Sequence, residues 1–221
     1  MFKKSFLTSA VVLIIVSFIT ASWAAELLPI KLPPPNLNSG KSLMQSLQAR
    51  KSSRDFSTKR LPVEVLSNLL WAAGGINRPE SGRRTAPSAV NWQEIDVYVA
   101  MAEGLYLYDA KEHVLKPVIK QDIRGLTGKQ TFVKEAPVNL IYVADYSRMG
   151  GASAEEKISY SAADTAFIAQ NVYLYCASEG LATVVRGSID RDVLAKAMQL
   201  RDNQKIVLSQ TVGYPKKSGY V

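Results

Sequence analysis

The sequence predicts one α+β domain, because strand patterns and helical patterns both occur along it. Residues 95–100 alternate Ile, Val and Val with other side chains, and a Glu-Gly pair separates them from a second short run at 105–108, as in a β-hairpin. Residues 138–143 are an almost unbroken apolar run, typical of a strand buried on both faces. Residues 62–73 and 161–178 have the apolar spacing of helices. With 47% hydrophobic residues in 221, the chain can build one full core.

The first 24 residues have the composition of a secretory signal peptide. Lys3 and Lys4 precede an apolar run at 7–19, and Ser22-Trp23-Ala24 places small residues at the expected cleavage positions. The run is shorter than the ~20 residues that a membrane-spanning helix needs, so a retained anchor is the less favoured interpretation. We therefore expect a periplasmic or secreted protein with no stable membrane span after cleavage.

Residues 25–40 are predicted to form a proline-rich strap, and the domain itself to span 41–221. The run Pro33-Pro34-Pro35 favours extended chain without hydrogen bonds of its own. A first helix is predicted over 41–50, with Leu43, Met44 and Leu47 on its buried face.

A second helix is predicted over 62–73, starting with Pro62 and ending at Gly74-Gly75. Its buried side would carry Val65, Leu66, Leu69 and Leu70. Residues 77–93 then form a long loop rich in Pro, Gly, Ser and Arg, and loops of this length are usually functional or disordered.

The segment 161–178 is the longest predicted helix, and it is apolar on several sides. It is either the central core helix or a helix buried at a dimer interface. Gly180 ends it, Asp190 caps a further helix that ends near Leu200, and 206–212 forms a late strand.

Charge and residue counts exclude several classes of chemistry. The formal net charge is +8, and removing residues 1–24 takes away two lysines and no acid, which leaves +6. An anionic ligand fits this excess, but no zinc finger, basic zipper or aromatic RNA-binding signature is present, so nucleic acid is disfavoured. Cys176 is the only cysteine and is expected to be buried; His113 is the only histidine and is expected on the surface. Disulfides, zinc sites and Ser-His-Asp catalysis are therefore improbable.

The run Arg50-Lys51-Ser52-Ser53-Arg54 has two balanced interpretations. Two Arg forks, an ammonium and hydroxyl groups could replace the water around a phosphate dianion. Cations at the end of a helix could equally complement its dipole and bind nothing.

Three further stretches resolve this choice, because together with the basic run they resemble the nitroreductase family of FMN flavoproteins. They are RTAPSAVNWQEIDVYVA, the sequence Glu179-Gly180-Leu181 after the long helix, and a final Gly-Tyr-Pro before basic residues. The resemblance covers about residues 41–217 and looks closest to the azoline-oxidising (SagB-type) dehydrogenases. It implies a mixed β-sheet wrapped by helices and an intertwined homodimer with FMN at the subunit interface.

The resemblance also implies which residues hold the cofactor. Basic and hydroxyl side chains would bind the FMN phosphate, a second group would line the flavin ring from the other subunit, two amides would reach its polar edge, and a turn would bring backbone N–H groups toward flavin N5. In that order these are Arg50, Lys51, Ser52 and Arg54 with Lys216 or Lys217; Pro87, Ser88 and Ala89; Asn91 and Gln93; and Glu179, Gly180 and Leu181. No side chain is assigned as a catalytic acid or base, and no metal is expected.

Arg84 and Arg186 flank this site in the predicted loops. They would either stabilise the reduced flavin or bind an acidic substrate, or else be ordinary surface arginines. Ala89 and Val90 stand where the family has a second Ser or a Gly, so the ring contacts are expected to differ.

The leading hypothesis is an exported FMN-dependent oxidoreductase that passes two electrons through the flavin to a small-molecule acceptor. Because NAD(P)H is scarce outside the cytoplasm, the donor would not be a nicotinamide. The alternatives are a non-catalytic flavin- or anion-binding module, and an interaction subunit with a basic docking face.

Overall fold

The structure is a computed structural model that describes residues 26–216. The predicted signal peptide and Lys217 lie outside the described residues. Nine strands are present in the described part: β1 (Ile30–Lys31), β2 (Ile76–Arg78), β3 (Arg83–Arg84), β4 (Ile95–Met101), β5 (Gly104–Asp109), β6 (Val114–Ile119), β7 (Val138–Asp145), β8 (Ala182–Arg186) and β9 (Gln204–Gly213). The α-helices are α1 (Leu43–Ala49), α2 (Val63–Gly74), α3 (Phe132–Glu135), α4 (Ala154–Glu179) and α5 (Arg191–Ala197). The α+β prediction is confirmed.

Seven strands form the main sheet, in the order β1-β6-β5-β4-β7-β9-β8. All eight residues of β7 are buried, as the continuous apolar run predicted. Every strand pairing in the described part is antiparallel, so the expectation of a mixed sheet is wrong. The reason is that β7 and β8 run in the same direction, as the α4 crossover between them requires, but β9 is inserted between them and pairs antiparallel with both.

Helix α4 packs one stripe against the sheet and leaves the opposite side exposed. Ile168, Ala169, Val172 and Cys176 are buried, whereas Phe167 is 48% exposed. The helix begins seven residues earlier than predicted, because Ser153 and Glu156 form a capping box ahead of a polar first turn. The prediction from apolar periodicity missed residues 154–160 because this first part of the helix is mostly polar. The first sequence-based alternative, a central core helix, is confirmed for this stripe, and burial of the other face at a dimer interface stays a prediction.

Helix α2 agrees with its prediction, and α1 does not. Leu66, Leu69 and Leu70 are buried in the main core. In α1 the buried residue is Ser46, while the predicted core residues Leu43, Met44 and Leu47 are 63%, 73% and 44% exposed. The apolar side of α1 therefore faces away from the core of its own chain.

The proline strap is fixed by side chains of the domain. Ser67 Oγ donates to the Pro33 carbonyl at 2.5 Å, and His113 Nε2 lies 3.1 Å from the same oxygen and 2.7 Å from Ser67 Oγ. Tyr108 holds the other imidazole nitrogen at 2.9 Å. The strap thus accepts hydrogen bonds, and His113 is half-buried instead of exposed, because it forms part of this clamp.

The predicted loop at 77–93 contains regular structure. Strands β2 and β3 pair as a small separate hairpin, and Ala89–Asn91 forms a 3₁₀ turn. No helix in the described residues is long and apolar enough to cross a membrane.

Leu69→Ala should lower the free energy of unfolding by about 2–5 kcal/mol, because the side chain is fully buried between α2 and the sheet. Leu28→Ala is the matched control, since Leu28 is 66% exposed and should change stability little. Chemical denaturation of both variants measures the difference. Equal effects would contradict the described core.

Candidate functional site

The predicted phosphate segment lies along the free edge of β8, held by backbone and aromatic contacts. Ser53 N–H donates to the Thr183 carbonyl at 2.9 Å. Ser52 Oγ is 2.8 Å from the Tyr173 hydroxyl on α4, and the Arg50 guanidinium carbon lies 5.4 Å from the centre of the Tyr173 ring. The segment therefore has a defined position, although Lys51 and Arg54 are exposed.

The C-terminal strand brings Lys216 to the same place. Phe56 and Pro215 form an isolated β-bridge, and Lys216 N–H donates to the Asp55 carbonyl at 3.1 Å. The two basic segments that sequence reasoning grouped for phosphate binding are thus neighbours, even though more than 150 residues separate Arg54 from Lys216 in the sequence.

Two cavities flank this junction. One, of about 440 Å³, is lined by Lys51 and Ser53 together with Gly180, Leu181 and Thr183, among others. The second, of about 560 Å³, is lined by Arg54 and Lys216, and also by residues that the sequence did not indicate: Lys129, Gln130, Thr131, Phe132 and Glu135. Arg54, Lys129 and Lys216 face the second cavity together with Asp55 and Glu135, whereas Lys41 and Lys51 face the first with no acid, so both cavities carry a net positive charge.

Residues 127–133 were missed because nothing in their sequence marks a site. They are positioned by a buried cation, Arg186, at the end of β8. Arg186 donates to the Thr127 carbonyl at 2.7 Å and to Asn139 Oδ1 at 2.9 Å, and its guanidinium lies 6.0 Å from the Phe132 ring centre. Only the folded structure identifies this segment, because Arg186 contacts it from a strand that is distant in the sequence.

Arg186 is therefore not a surface arginine, and it is only 5% exposed. Burial lowers its pKa to about 10. Its two terminal nitrogens, Nη1 and Nη2, donate to protein oxygens. The prediction that these two nitrogens bind an acidic substrate is therefore wrong. Arg186 Nε and Gln130 Oε1 are buried without a partner in the described part of the chain.

The predicted ring-lining residues Pro87, Ser88 and Ala89 lie against the N-terminal half of α4. Ala89 N–H donates to Asp164 Oδ2 at 2.9 Å, and Trp92 packs edge-on against Tyr160 with ring centres 5.7 Å apart. Val90 has φ 51° and is 82% exposed. A β-branched residue in the left-handed region is strained, and such strain is held in place by surrounding contacts, often at functional sites.

Gln93 and Arg84 are used to build this loop. Arg84 Nε donates to Gln93 Oε1 at 2.9 Å, and Gln93 Nε2 donates to the Gly82 carbonyl and to Asn91 Oδ1, both at 3.1 Å. Burial lowers the pKa of Arg84, although Asp96 opposes the shift. The Gln93 amide is thus engaged within its own loop, whereas Arg84 is half-buried at the edge of the loop.

With this geometry established, comparison with known proteins gives a clear result. Residues 47–214 match the model of the Nitroreductase family. The chain belongs to the nitroreductase family. MJ1384 of Methanocaldococcus jannaschii, named a nitroreductase, is 28% identical in an alignment 163 positions long, and the match covers 69% of this chain and 82% of that protein.

Solved structures agree with this membership. A protein of Ralstonia eutropha JMP134 described as a nitroreductase superposes with a TM-score of 0.82 at 45% identity, covering 86% of this chain and 90% of its own. A chain of the Escherichia coli microcin synthetase McbBCD complex, solved with truncated pro-MccB17 bound, has a TM-score of 0.66 at 19% identity and covers 95% of this chain and 85% of its own. The second likeness is one of fold alone.

The resemblance assigned the turn Glu179-Gly180-Leu181 of this nitroreductase-family chain to flavin N5, and that role stays a prediction. Gly180 ends α4 in the left-handed conformation at φ 71°, and its N–H donates to the Cys176 carbonyl. Leu181 N–H donates to the same carbonyl at 2.8 Å. Both N–H groups of the turn after Glu179 therefore complete the helix end. Gly180 and Leu181 nevertheless line the cavity that Lys51 and Ser53 also line.

The phosphate segment and the ring-lining loop touch opposite sides of α4. Tyr173 contacts the phosphate segment, and Asp164 contacts the ring-lining loop. These two residues are nine positions apart on α4, which corresponds to roughly 13 Å along the helix axis and a rotation of about 180° around it. The two predicted groups therefore contact different faces of α4.

Cys176 is fully buried, as predicted, and burial raises the pKa of its thiol. The described residues hold no group of three or more His, Cys, Asp or Glu side chains arranged for a metal ion.

Tyr173→Phe should lower the free energy of unfolding by about 1–3 kcal/mol, because the hydroxyl accepts from Val185 N–H at 3.0 Å and bonds to Ser52. Tyr160→Phe, at an exposed position on the same helix, is the control. Denaturant unfolding gives both values. A stability equal to that of the wild type would show that Tyr173 does not hold the basic segment.

Proposed function

We propose that this protein is an FMN-dependent oxidoreductase that passes two electrons to a small-molecule acceptor. Membership of the nitroreductase family supports the reaction class. The observation that carries the choice of cofactor is that the basic segment 50–54 and Lys216 are neighbours at a junction flanked by two cavities of net positive charge. Bound FMN would take up two electrons from a donor and deliver them to the acceptor.

The residues present fit a flavin phosphate. A dianion leaving water needs several charged donors, and the basic segment supplies guanidinium, ammonium and hydroxyl groups on a backbone already fixed at the β8 edge. Arg186, with no carboxylate bound to it in the described residues, adds a buried positive charge behind the loop that lines the cavity. Arg50, Lys51, Ser52 and Arg54 would hold the phosphate at the junction of the two cavities, since Lys51 lines one cavity and Arg54 and Lys216 line the other.

The protein would work as a homodimer. Because the ring-lining loop and the phosphate segment lie on opposite sides of α4, two copies are needed to complete one site. The exposed apolar residues of α1 and α4 provide a surface for the second copy: Leu43, Met44, Leu47, Ile158 and Phe167. Helix α1 packs against α4, so both helices belong to the same side of the fold.

We place the protein outside the cytoplasm, from the composition of residues 1–24, and infer an electron donor other than a nicotinamide. Within the family we propose the azoline-oxidising branch. Conversion of an azoline ring to an azole, with two electrons leaving the substrate, is the first reaction to assay.

The first test is the absorbance spectrum of the purified protein before and after incubation with FMN. We expect oxidised-flavin bands at about one flavin per chain in the wild type. In Arg50→Ala/Arg54→Ala the dissociation constant should rise about 100-fold or more, because two charge-assisted contacts are lost at roughly 1.5–3 kcal/mol each.

Lys196→Ala/Lys205→Ala removes the same charge from exposed positions away from the site and should bind FMN like the wild type. Equal losses in both double variants would indicate a general charge effect. Absence of flavin from the wild type would favour the interaction subunit, and flavin without turnover of any acceptor would favour the non-catalytic module.

Phe167→Glu should convert the dimer to a monomer and weaken FMN retention, because a charge would be placed on the proposed subunit contact and the ring-lining loop of the partner would be lost. Val193→Glu makes the same change at a 49% exposed position on α5 and should leave the dimer intact. Sedimentation velocity with absorbance detection reports mass and flavin together. A flavin-loaded monomer would contradict the shared site.

A further inference from the structure

The most unusual buried group outside the cavities is Glu94, immediately before β4. It is fully buried, and neither of its carboxylate oxygens has a hydrogen-bond donor in the part of the chain that the structure describes. A charged carboxylate without partners is very unfavourable in a protein interior, so the group is expected to be neutral or to share a proton.

A second buried carboxyl faces it. Asp164 on α4 is 3% exposed, and an electrostatic interaction and a hydrogen bond with the Asp164 carboxyl both act on the pKa of Glu94. Burial, reinforced by the neighbouring Asp164, raises the pKa of Glu94 to about 7. Burial also raises the pKa of Asp164. Two such carboxyls in contact cannot both be ionised at low cost, and one shared proton removes the repulsion.

The other charge acting on Glu94 is Arg148, from the turn after β7, which favours ionisation. It is already occupied, however, because its guanidinium binds Asp96 at 2.7 Å and lies 3.8 Å from Asp145. It also donates to the Gln93 carbonyl at 2.9 Å. The main contacts of Arg148 are therefore with Asp96 and with the Gln93 carbonyl next to Glu94, and it forms no ion pair with the Glu94 carboxylate in the described residues.

The pair is directly connected to the ring-lining loop. Asp164 Oδ2 accepts the Ala89 N–H, and Glu94 follows the same loop after Gln93. Because Val90, Asn91 and Gln93 all have positive φ, the loop needs external contacts to keep its shape. The Asp164 contact is one of the few that reach it from another element.

We propose that Glu94 and Asp164 share one proton, and that this protonated pair is the positioning device that holds the loop Pro87–Ser88–Ala89 in the shape that receives the flavin ring. Loss of the proton would place two negative charges together under the loop, and the loop would move away from α4 to separate them. FMN binding would then weaken as the pH rises. The effect on FMN rests on the proposed function, but the shared proton itself does not.

The sign of the stability effect follows from the raised pKa of Glu94. Between its ordinary pKa of 4.5 and about 7 the folded state binds more protons than the unfolded state, so stability falls as the pH rises through this window. If only the protonated pair is competent, the competent fraction drops to about one tenth at pH 8, and the FMN dissociation constant should rise about tenfold between pH 6 and pH 8.

The test compares wild type with Glu94→Gln, whose amide can donate to Asp164 at every pH, and with Glu103→Gln as an exposed-acid control. Infrared difference spectroscopy of the full chain should show the C=O stretch of a protonated carboxyl at pH 6 in the wild type and in Glu103→Gln, and not in Glu94→Gln. FMN titrations should give the tenfold pH dependence in the first two proteins and a nearly flat profile in the third. Without flavin, the unfolding midpoint should likewise depend on pH in the wild type and in Glu103→Gln, and be nearly independent of pH in Glu94→Gln.

Each contrary result is decisive. A spectrum without a protonated carboxyl, or the same signal in Glu94→Gln, would overturn the shared proton. If Glu94→Gln does not fold, Asp164→Asn serves, because it also removes the proton site while keeping an acceptor for Ala89 N–H. If no protein binds FMN, the proposed function fails, and the infrared and unfolding results still decide the pair.

Discussion

The packing of α4 on the antiparallel sheet is the constraint on which the rest of the molecule depends. Its 26 residues span roughly 39 Å, and only one stripe of a helix can face a sheet at a time. Ile168, Val172 and Cys176 use that stripe for the core. The remaining faces are free to carry Asp164 and Tyr173, which support the two functional segments. Polar residues on this helix are therefore anchors for loops, and apolar residues away from the sheet are available for a second subunit.

Beneath the basic junction, the sheet contributes polar side chains in place of apolar ones. Asn139 on β7 accepts from Arg186 and from Thr211 Oγ1 and donates to the Val133 carbonyl at 2.7 Å. Ser209 Oγ donates to the Thr127 carbonyl at 2.8 Å. Such a network is favourable only when nearly every member is satisfied, and here it fixes the segment that leads into α3 and the first turn of that helix. The cavity beside Arg54 owes its shape to this network.

The site differs from one built around catalytic side chains. Its cations come from chain segments far apart in sequence, and its ring-lining loop is held by carboxyl, amide and aromatic contacts on another side of the same helix. This arrangement suits a cofactor that performs the chemistry itself, because the protein then has to bind, orient and shield it. In our proposal, the buried carboxyl pair beneath the strained loop also makes the geometry of the site sensitive to protonation.

The sequence by itself determined the α+β class, the hairpin, the buried strand β7, helix α2 and the basic segment, because these depend on local periodicity and on residue types close together in the chain. It also led to family membership through the order of several short motifs. Tertiary structure decided the rest. Leu43 and Leu47 have the spacing of a core face, yet only the packing of α1 shows that they point outward. The turn at Gly180 resembles a cofactor contact, but its N–H groups are used by the helix end. Arg186, Lys129 and the Glu94–Asp164 pair acquire roles only where β8, the 127–133 loop and α4 meet, because burial and long-range hydrogen bonds are properties of the folded chain and not of any segment of it.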